Sequence, residues 1–148
     1  MKIKLLPFAL LVAFGLAGCA NNNSLPDTPV PVSGTFTGQF KLYHVNSAKG
    51  TSRVDSAYLN LVMEAATGYK ITGDTTTVHA GSYGNYAVNS SAFQILFNDV
   101  TFSASAPPTK VHLAGIYNYH FDGVNLQLST YGPADTLQYF YTFKKTGN

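Results

Sequence analysis

The sequence predicts an all-β protein whose one domain folds as an antiparallel up-and-down barrel of eight strands. Three observations support this fold class. Apolar and polar residues alternate with a period of two from Gly34 onward, turn-forming segments separate the alternating runs, and no stretch of helical length repeats apolar residues at helical spacing. The length of 148 residues fits one domain. Because 45% of the residues are hydrophobic and only 11% are charged, a disordered chain is excluded.

The first four predicted strands each have one apolar face. Their alternating runs are 36–42, 57–63, 69–71 and 86–88. Successive side chains of a strand point to opposite faces, so each run offers one side to a core and the other to solvent. Gly68 ends the segment that separates the second run from the third, and Gly73-Asp74 is a short polar break after the third.

The last four predicted strands follow the same rule. Their runs are 93–97, 113–121, 126–128 and 137–143. Asp122-Gly123 predicts a hairpin with a type I′ turn, which needs positive φ at both positions. The one long connection covers 98–110, and connections of this length are uncommon unless they are functional or mobile. It is open to three interpretations: a lid at a barrel mouth, a contact loop for a partner, or a plain surface loop.

Eight strands with short connections are compatible with a closed barrel or with a two-sheet β-sandwich. A barrel removes both exposed sheet edges. Gly38 and Gly115 stand on the apolar faces of their strands, where glycine indicates sharp coiling or close approach of two backbones. We therefore expect the barrel, with the sandwich as the alternative.

The N-terminus has the pattern of a secretory leader. Lys2 and Lys4 precede an uncharged apolar run at 5–16, which fits the hydrophobic region of a signal peptide and is too short to span a membrane. Leu-Ala-Gly then leads into Cys19, and these four residues resemble the lipobox of bacterial lipoproteins. The resemblance implies cleavage before Cys19 and acylation of that residue. Several acyl chains on one residue give stable membrane attachment.

This pattern divides the chain into three parts: a lipoprotein signal peptide over 1–18, the lipidated cysteine with a flexible tether over 19–33, and the barrel domain over 34–148. Prolines make the tether extended. Since Ala20 rather than Asp follows the cysteine, the resemblance implies the outer membrane of the cell envelope, facing the periplasm. Loss of the leader leaves as many acidic as basic side chains, so nothing indicates a nucleic-acid partner. We expect a monomer.

Gly-x-aromatic motifs recur in the domain, at Gly34, Gly84 and Gly115, and the run at 137–143 carries aromatic residues at alternate positions. In these features the domain resembles the lipocalin-like, calycin-type domains of small bacterial lipoproteins. Lipocalins have a Trp in the first strand, where this chain has Phe36. The resemblance implies a barrel that binds a small hydrophobic molecule or lipid, and it brings no catalytic residues.

Aromatic side chains dominate the predicted inner face, with Phe93 and Phe143 among them. The candidates for lining a ligand cavity are Phe40, Tyr69, Tyr86, Phe97, Tyr117, Tyr119, Tyr139 and Tyr141. Apolar walls with a few hydroxyl groups are typical of ligand sites. Alternatively, the same rings fill the interior completely, because eight strands enclose little more than their own side chains. In that case the protein is a structural or protein-interaction lipoprotein without a ligand.

No motif indicates catalysis or metal binding. His112 and His120 occupy alternate positions of the sixth predicted strand that face outward, and His79 lies in a polar stretch. We therefore expect these histidines to be solvated. No histidine spacing fits a metal site, and the one Cys excludes an intrachain disulfide. Glu64 is the only Glu, and Asp74, Asp99, Asp122 and Asp135 lie in or beside turns, where Asp caps backbone N–H groups. We expect no enzyme and no cofactor.

Overall fold

A computed structural model describes residues 30–46, 50–102, 109–132 and 136–147. Eight strands form a closed barrel in which each strand runs antiparallel to the next and the last returns to the first. The strands are β1 (Gly34–Asn46), β2 (Gly50–Glu64), β3 (Gly68–Gly73), β4 (Tyr83–Asn89), β5 (Gln94–Asp99), β6 (Gly115–Phe121), β7 (Asn125–Tyr131) and β8 (Leu137–Gly147). The predicted up-and-down barrel is confirmed, and the sandwich alternative is wrong.

Alternate side chains of the strands fill the barrel, as the period of two predicts. Phe36 and Phe40 of β1 are fully buried, and so are Leu59 and Leu61 of β2. The intervening residues of these strands face outward. Burial of apolar surface contributes about 25 cal/mol per Å², so this inward face is the main source of the domain's stability.

One end of the barrel, which we call the tether end, is closed by side chains. It holds the entry of β1 and the turns 65–67, 90–93 and 122–124. Val32, just before β1, is buried, and the hydroxyl of Tyr86 donates to its carbonyl at 3.3 Å. Residues 1–29, which include the predicted signal peptide, Cys19 and the first part of the tether, lie outside the described residues.

The opposite end, which we call the mouth, is partly covered by two connections. We name residues 78–82 and 110–114 the plug. His79 and Val111 form a parallel β-bridge, in which the amide of Val111 donates to Val78 at 2.9 Å and the amide of Ala80 donates to Val111 at 2.8 Å. Leu113 is fully buried below them. The β3–β4 connection thus spans 74–82, longer than the short break that the sequence predicts.

Two turns differ from their sequence predictions. Phe93, expected on the inner face, lies in the turn before β5 with a φ of 52° and is 66% exposed. The loop between β6 and β7 has three residues, of which only Gly123 has positive φ, so the type I′ prediction is wrong. The carboxylate of Asp122 accepts hydrogen bonds from the amides of Val124 and Asn125 at 2.8 and 2.6 Å, which holds this loop in place.

Gly38 lies where β1 and β8 approach closely. A Cβ at this position would overlap the carbonyl oxygen of Thr142 and would lie 2.7 Å from the Cα of Phe143. The predicted close approach is confirmed here. At Gly115 a Cβ would meet no neighbouring atom within 4 Å, and the glycine instead provides a φ of 90° at the start of β6.

Candidate functional site at the mouth of the barrel

Five of the eight candidate cavity residues form a packed aromatic core. The ring centroids of Phe40 and Tyr141 are 4.7 Å apart, and those of Tyr69 and Phe97 are 4.9 Å apart. Tyr117 contacts both pairs, at 5.8 Å from Phe97 and 5.7 Å from Tyr141. The contact between Tyr69 and Phe97 and both contacts of Tyr117 are edge-to-face, a favourable ring packing at these distances, and the Phe40 and Tyr141 rings are tilted. These five rings are buried and fill the interior of the barrel, and of the five Tyr117 also borders a cleft at the mouth.

The other three candidates are half-buried at the two ends. Tyr86 and Tyr119 border a depression next to Val32 at the tether end. Tyr139 lies at the mouth, where it borders a larger cleft together with Tyr117. Burial raises the pKa of Tyr117 and of Tyr139, so both hydroxyls stay protonated at neutral pH. The alternation of inward and outward positions along the strands correctly predicts that all eight rings point inward. Only two of them, Tyr117 and Tyr139, border the mouth.

His79 is a buried polar residue that the sequence reading misplaces in solvent. Its side chain is fully buried, because the bridge to Val111 draws the segment into the mouth. Nδ1 lies 2.6 Å from the carbonyl oxygen of Ala80, and Nε2 lies 2.9 Å from the hydroxyl of Tyr141. A carbonyl can only accept, so Nδ1 carries the proton and Nε2 accepts from the tyrosine. Burial lowers the pKa of His79 to about 4, so the ring is neutral at pH 7.

The mouth cleft forms where β6 and β7 part. The two strands pair only between Asn118 and Phe121 on β6 and the facing residues of β7. Nearer the mouth, Ile116 remains paired with β5 and Tyr131 remains paired with β8, but these two residues do not pair with each other. The resulting cleft has a volume of about 780 Å³. This lies within the range of about 300–1,000 Å³ that small-molecule sites occupy.

The walls of the cleft are mostly apolar. Side chains from β1, β6, β7, β8 and the plug contribute Leu42, Val78, Val111, Ile116, Tyr117, Tyr131, Leu137 and Tyr139. Phe102 adds a ring from the connection after β5. Six residues of that connection, 103–108, lie outside the described residues, so its predicted role as a lid, a contact loop or a surface loop stays open.

One charged group at the rim is internally neutralised. Arg53 donates from Nε and Nη2 to the two carboxylate oxygens of Asp55 at 2.9 and 2.7 Å. His44 Nε2 lies 2.8 Å from one of the same oxygens. The hydrogen bond from Arg53 holds the pKa of Asp55 below its ordinary value, with a smaller effect from His44. Since the guanidinium is satisfied by the carboxylate, this group forms a polar rim with little net charge.

A second side-chain pair joins the plug to the end of β5. His112 Nδ1 lies 2.7 Å from Asp99 Oδ2, and the side chains are 15% and 0% exposed. The other carboxylate oxygen accepts from the amide and the hydroxyl of Thr101 at 2.7 and 2.6 Å. The sequence placed His112 outward on the sixth strand. That placement is wrong because β6 begins only at Gly115, whereas His120 is exposed as predicted.

Asp99 and His112 belong to the candidate site although sequence analysis singled out neither as functional. They flank the long connection between β5 and β6, and closure of that connection brings them together. Alternation within strands gives no information on such a contact. A further cation, Lys110, borders the same cleft and donates from Nζ to the carbonyl oxygen of Thr75 at 2.9 Å.

Within the described ranges, no three His, Cys, Asp or Glu side chains are grouped as a metal site would require. No helix in the described part of the chain has the length and apolar character to span a membrane. Comparison with protein-family models, with curated proteins and with solved structures finds no match to this chain. The geometry of the cleft and the N-terminal sequence therefore carry the functional argument.

Proposed function

We propose that this protein is a lipid-anchored lipoprotein of the bacterial cell envelope whose lipocalin-like barrel binds a small, mostly apolar molecule at its mouth. The observation that carries the proposal is the mouth cleft, with its apolar walls and a few polar groups. Sites of this composition bind ligands by burying apolar surface and orient them through the polar groups. The ligand occupies the mouth rather than the barrel interior, because aromatic rings fill the interior.

The position of the tether supports this arrangement. Val32 packs into the tether end, and the resemblance to lipoproteins puts the acyl chains on Cys19, shortly before it. A lipid on that cysteine attaches the chain at the end of the barrel opposite the mouth. The attachment therefore does not cover the mouth, and a ligand enters without crossing the anchor.

If the cleft binds a ligand, a bulky side chain introduced into the cleft should block that binding. We expect the anionic apolar dye 1-anilinonaphthalene-8-sulfonate to bind saturably to the wild type. Ala114 is half-buried on the cleft wall, so Ala114→Trp should weaken that binding at least about tenfold, the equivalent of about 1.4 kcal/mol. The measurement is a titration followed by the fluorescence of the dye, which is excited directly.

Ala66→Trp is the matched control, because Ala66 is exposed in the turn between β2 and β3, at the end of the barrel opposite the mouth. It should bind the dye like the wild type. Denaturation curves of both variants check that the barrel remains folded. Absence of saturable binding to the wild type would contradict a ligand-binding function.

Anchoring predicts a covalent lipid on one residue. Cells that express the full chain and grow on alkyne-labelled palmitate should label the wild type, and Cys19→Ala should reduce that label to background because the chain has no other cysteine. Ala20→Ser, next to the modified residue, should be labelled like the wild type. Palmitate label that persists in Cys19→Ala would refute the anchor.

A second candidate function, a protein-interaction lipoprotein, is favoured by an apolar row on the outer face. Leu96 of β5 pairs directly with Ala87 of β4 and with Ile116 of β6. Leu96 and Ile116 are 38% and 57% exposed, which is unusual for large aliphatic side chains that stand side by side. The dye titration separates the two functions, because a barrel that acts only through its outer face has no saturable site in the cleft.

A further inference from the structure

We propose that His112, held by Asp99, recognises the acidic headgroup of the ligand in the mouth cleft, so that the ligand class is an amphipathic carboxylic acid. This inference rests on the proposed function, because it assigns chemistry to the same cleft. It is carried by the geometry of the Asp99–His112 pair and by the charges around it.

The pair fixes the orientation of the imidazole. Asp99 accepts from His112 Nδ1 at 2.7 Å, so Nδ1 carries a proton and Nε2 is the nitrogen left for a ligand. The carboxylate is fully buried and also accepts two hydrogen bonds from Thr101, which hold it in place. Phe102 packs its ring edge-on against the imidazole, with centroids 5.7 Å apart. The ring is therefore positioned before any ligand arrives.

Nε2 of His112 is the unsatisfied atom of this arrangement. Its hydrogen bonds to Asp99 and Thr101 both use Nδ1. Among the described residues, every buried side-chain nitrogen and oxygen that is sealed from solvent has a partner. Nε2 has none, so it is open to solvent, and His112 belongs to the cleft wall. A group that enters the cleft can form a hydrogen bond with it.

The charges at the cleft favour an anion. Arg53 and Asp55 neutralise each other at the rim, whereas Lys110 borders the cleft and uses one of its three N–H donors on a backbone carbonyl. No acidic side chain is left over among the described cleft residues, because Asp99 is buried behind the imidazole. The excess charge in the cleft is therefore positive.

A carboxylic acid satisfies both parts of the site. At neutral pH the acid is already a carboxylate. Nε2 therefore takes up a proton from water, the protonated Nε2 donates a hydrogen bond to that carboxylate, and the buried Asp99 balances the new positive charge. Lys110 adds a second cation near the carboxylate. The hydrocarbon part then lies along Tyr117 and Leu137, which are apolar walls of the same cleft. An alcohol of equal length offers the same tail without the charge.

The test compares octanoate with octanol. Both are titrated into the full chain in phospholipid nanodiscs by calorimetry, and the heats from empty nanodiscs are subtracted. We expect the wild type to bind octanoate at least about tenfold more tightly than octanol, because a hydrogen bond between charged groups is stronger than one between neutral groups. His112→Gln should abolish this preference by weakening octanoate about tenfold and leaving octanol unchanged.

His120→Gln is the matched control, since His120 is exposed on the outer face of β6 and is not part of the cleft. It should keep the wild-type preference. Asp99→Asn leaves an acceptor for Nδ1 but removes the balancing charge. It should therefore lower the octanoate preference without affecting octanol.

The outcomes separate the inference from the proposed function. No saturable binding of either compound to the wild type would overturn both. Equal affinity for octanoate and octanol, or a preference that survives in His112→Gln, would overturn the inference and leave the ligand cleft intact. If His112→Gln also loses octanol binding, the nitrogen NMR chemical shift of Nε2 in wild-type His112 provides the test. A shift of this signal on adding octanoate, but not octanol, supports the inference. No shift on adding octanoate overturns it.

Discussion

Gly38→Ala is expected to lower the free energy of unfolding of the barrel domain by at least about 4 kcal/mol, or to prevent folding. The added Cβ would overlap the carbonyl oxygen of Thr142 and approach the Cα of Phe143. Both obstacles are backbone atoms, and a side-chain rotation cannot move them. Gly38 also pairs with Leu59 on its other side, so β1 cannot shift away from β8 without breaking the ladder to β2.

The measurement is denaturant unfolding followed by near-ultraviolet circular dichroism of the tyrosines, since the chain has no Trp. Gly81→Ala is the matched control. A Cβ at Gly81 would meet its nearest atom at 3.7 Å, which is ordinary van der Waals contact, and its φ is not positive. We expect a change within about 1 kcal/mol for this control. Similar unfolding curves for the two variants would contradict a close approach of β1 and β8 at Gly38.

The fold could be predicted from the sequence because alternation is a local property of each strand. The alternation in a run such as 57–63 indicates which side chains face the core. Short connections place consecutive strands side by side as antiparallel partners. Alternation also predicts the inward direction of the eight aromatic candidates. It fails at Phe93, because this residue precedes β5 in a turn and has a positive φ.

The candidate site could be predicted only in part, because depth along the barrel axis is not a local property. Tyr141 and Tyr139 have the same parity, yet Tyr141 lies in the packed interior and Tyr139 borders the mouth. Which of them is deeper depends on the stagger of all eight strands and on where β6 and β7 separate. None of these quantities appears in the alternation of one strand.

The polar residues of the mouth were missed for a related reason. His79 and His112 belong to connections, where no periodicity assigns a face. His79 becomes buried through its bridge to Val111, and His112 is held through its contact with Asp99. Such long-range contacts between connections follow from closure of the barrel. The polar character of a segment therefore does not predict that it faces solvent.

The free energy of unfolding is expected to fall by about 3 kcal/mol as the pH decreases from 6.5 to 4, because of His79 alone. Burial lowers the pKa of His79 in the folded state to about 4, from an ordinary value of 6.5. Between these two values the unfolded chain binds a proton that the folded chain does not, so protonation favours unfolding. Above pH 6.5 the ring is neutral in both states, and below pH 4 the loss is complete.

The carboxylates whose pKa is lowered act in a different pH window. Hydrogen bonds from Asn125 lower the pKa of Asp122 to about 2, and those from Arg53 and His44 lower the pKa of Asp55. Their stabilisation is complete above the ordinary pKa of 3.8 and is lost below it. The stability that is lost through His79 is therefore already gone at the pH where the stability contributed by Asp122 and Asp55 begins to fall.

His79→Gln tests this assignment, because glutamine does not titrate and retains hydrogen-bonding groups for Tyr141. Urea unfolding at pH 7, 5.5 and 4 should give a stability that falls about 3 kcal/mol less in His79→Gln than in the wild type. His120→Gln should follow the wild type, since His120 is exposed in the folded barrel. An equal loss of stability in the wild type and in His79→Gln would mean that the buried ring is not the group that destabilises the mouth on acidification.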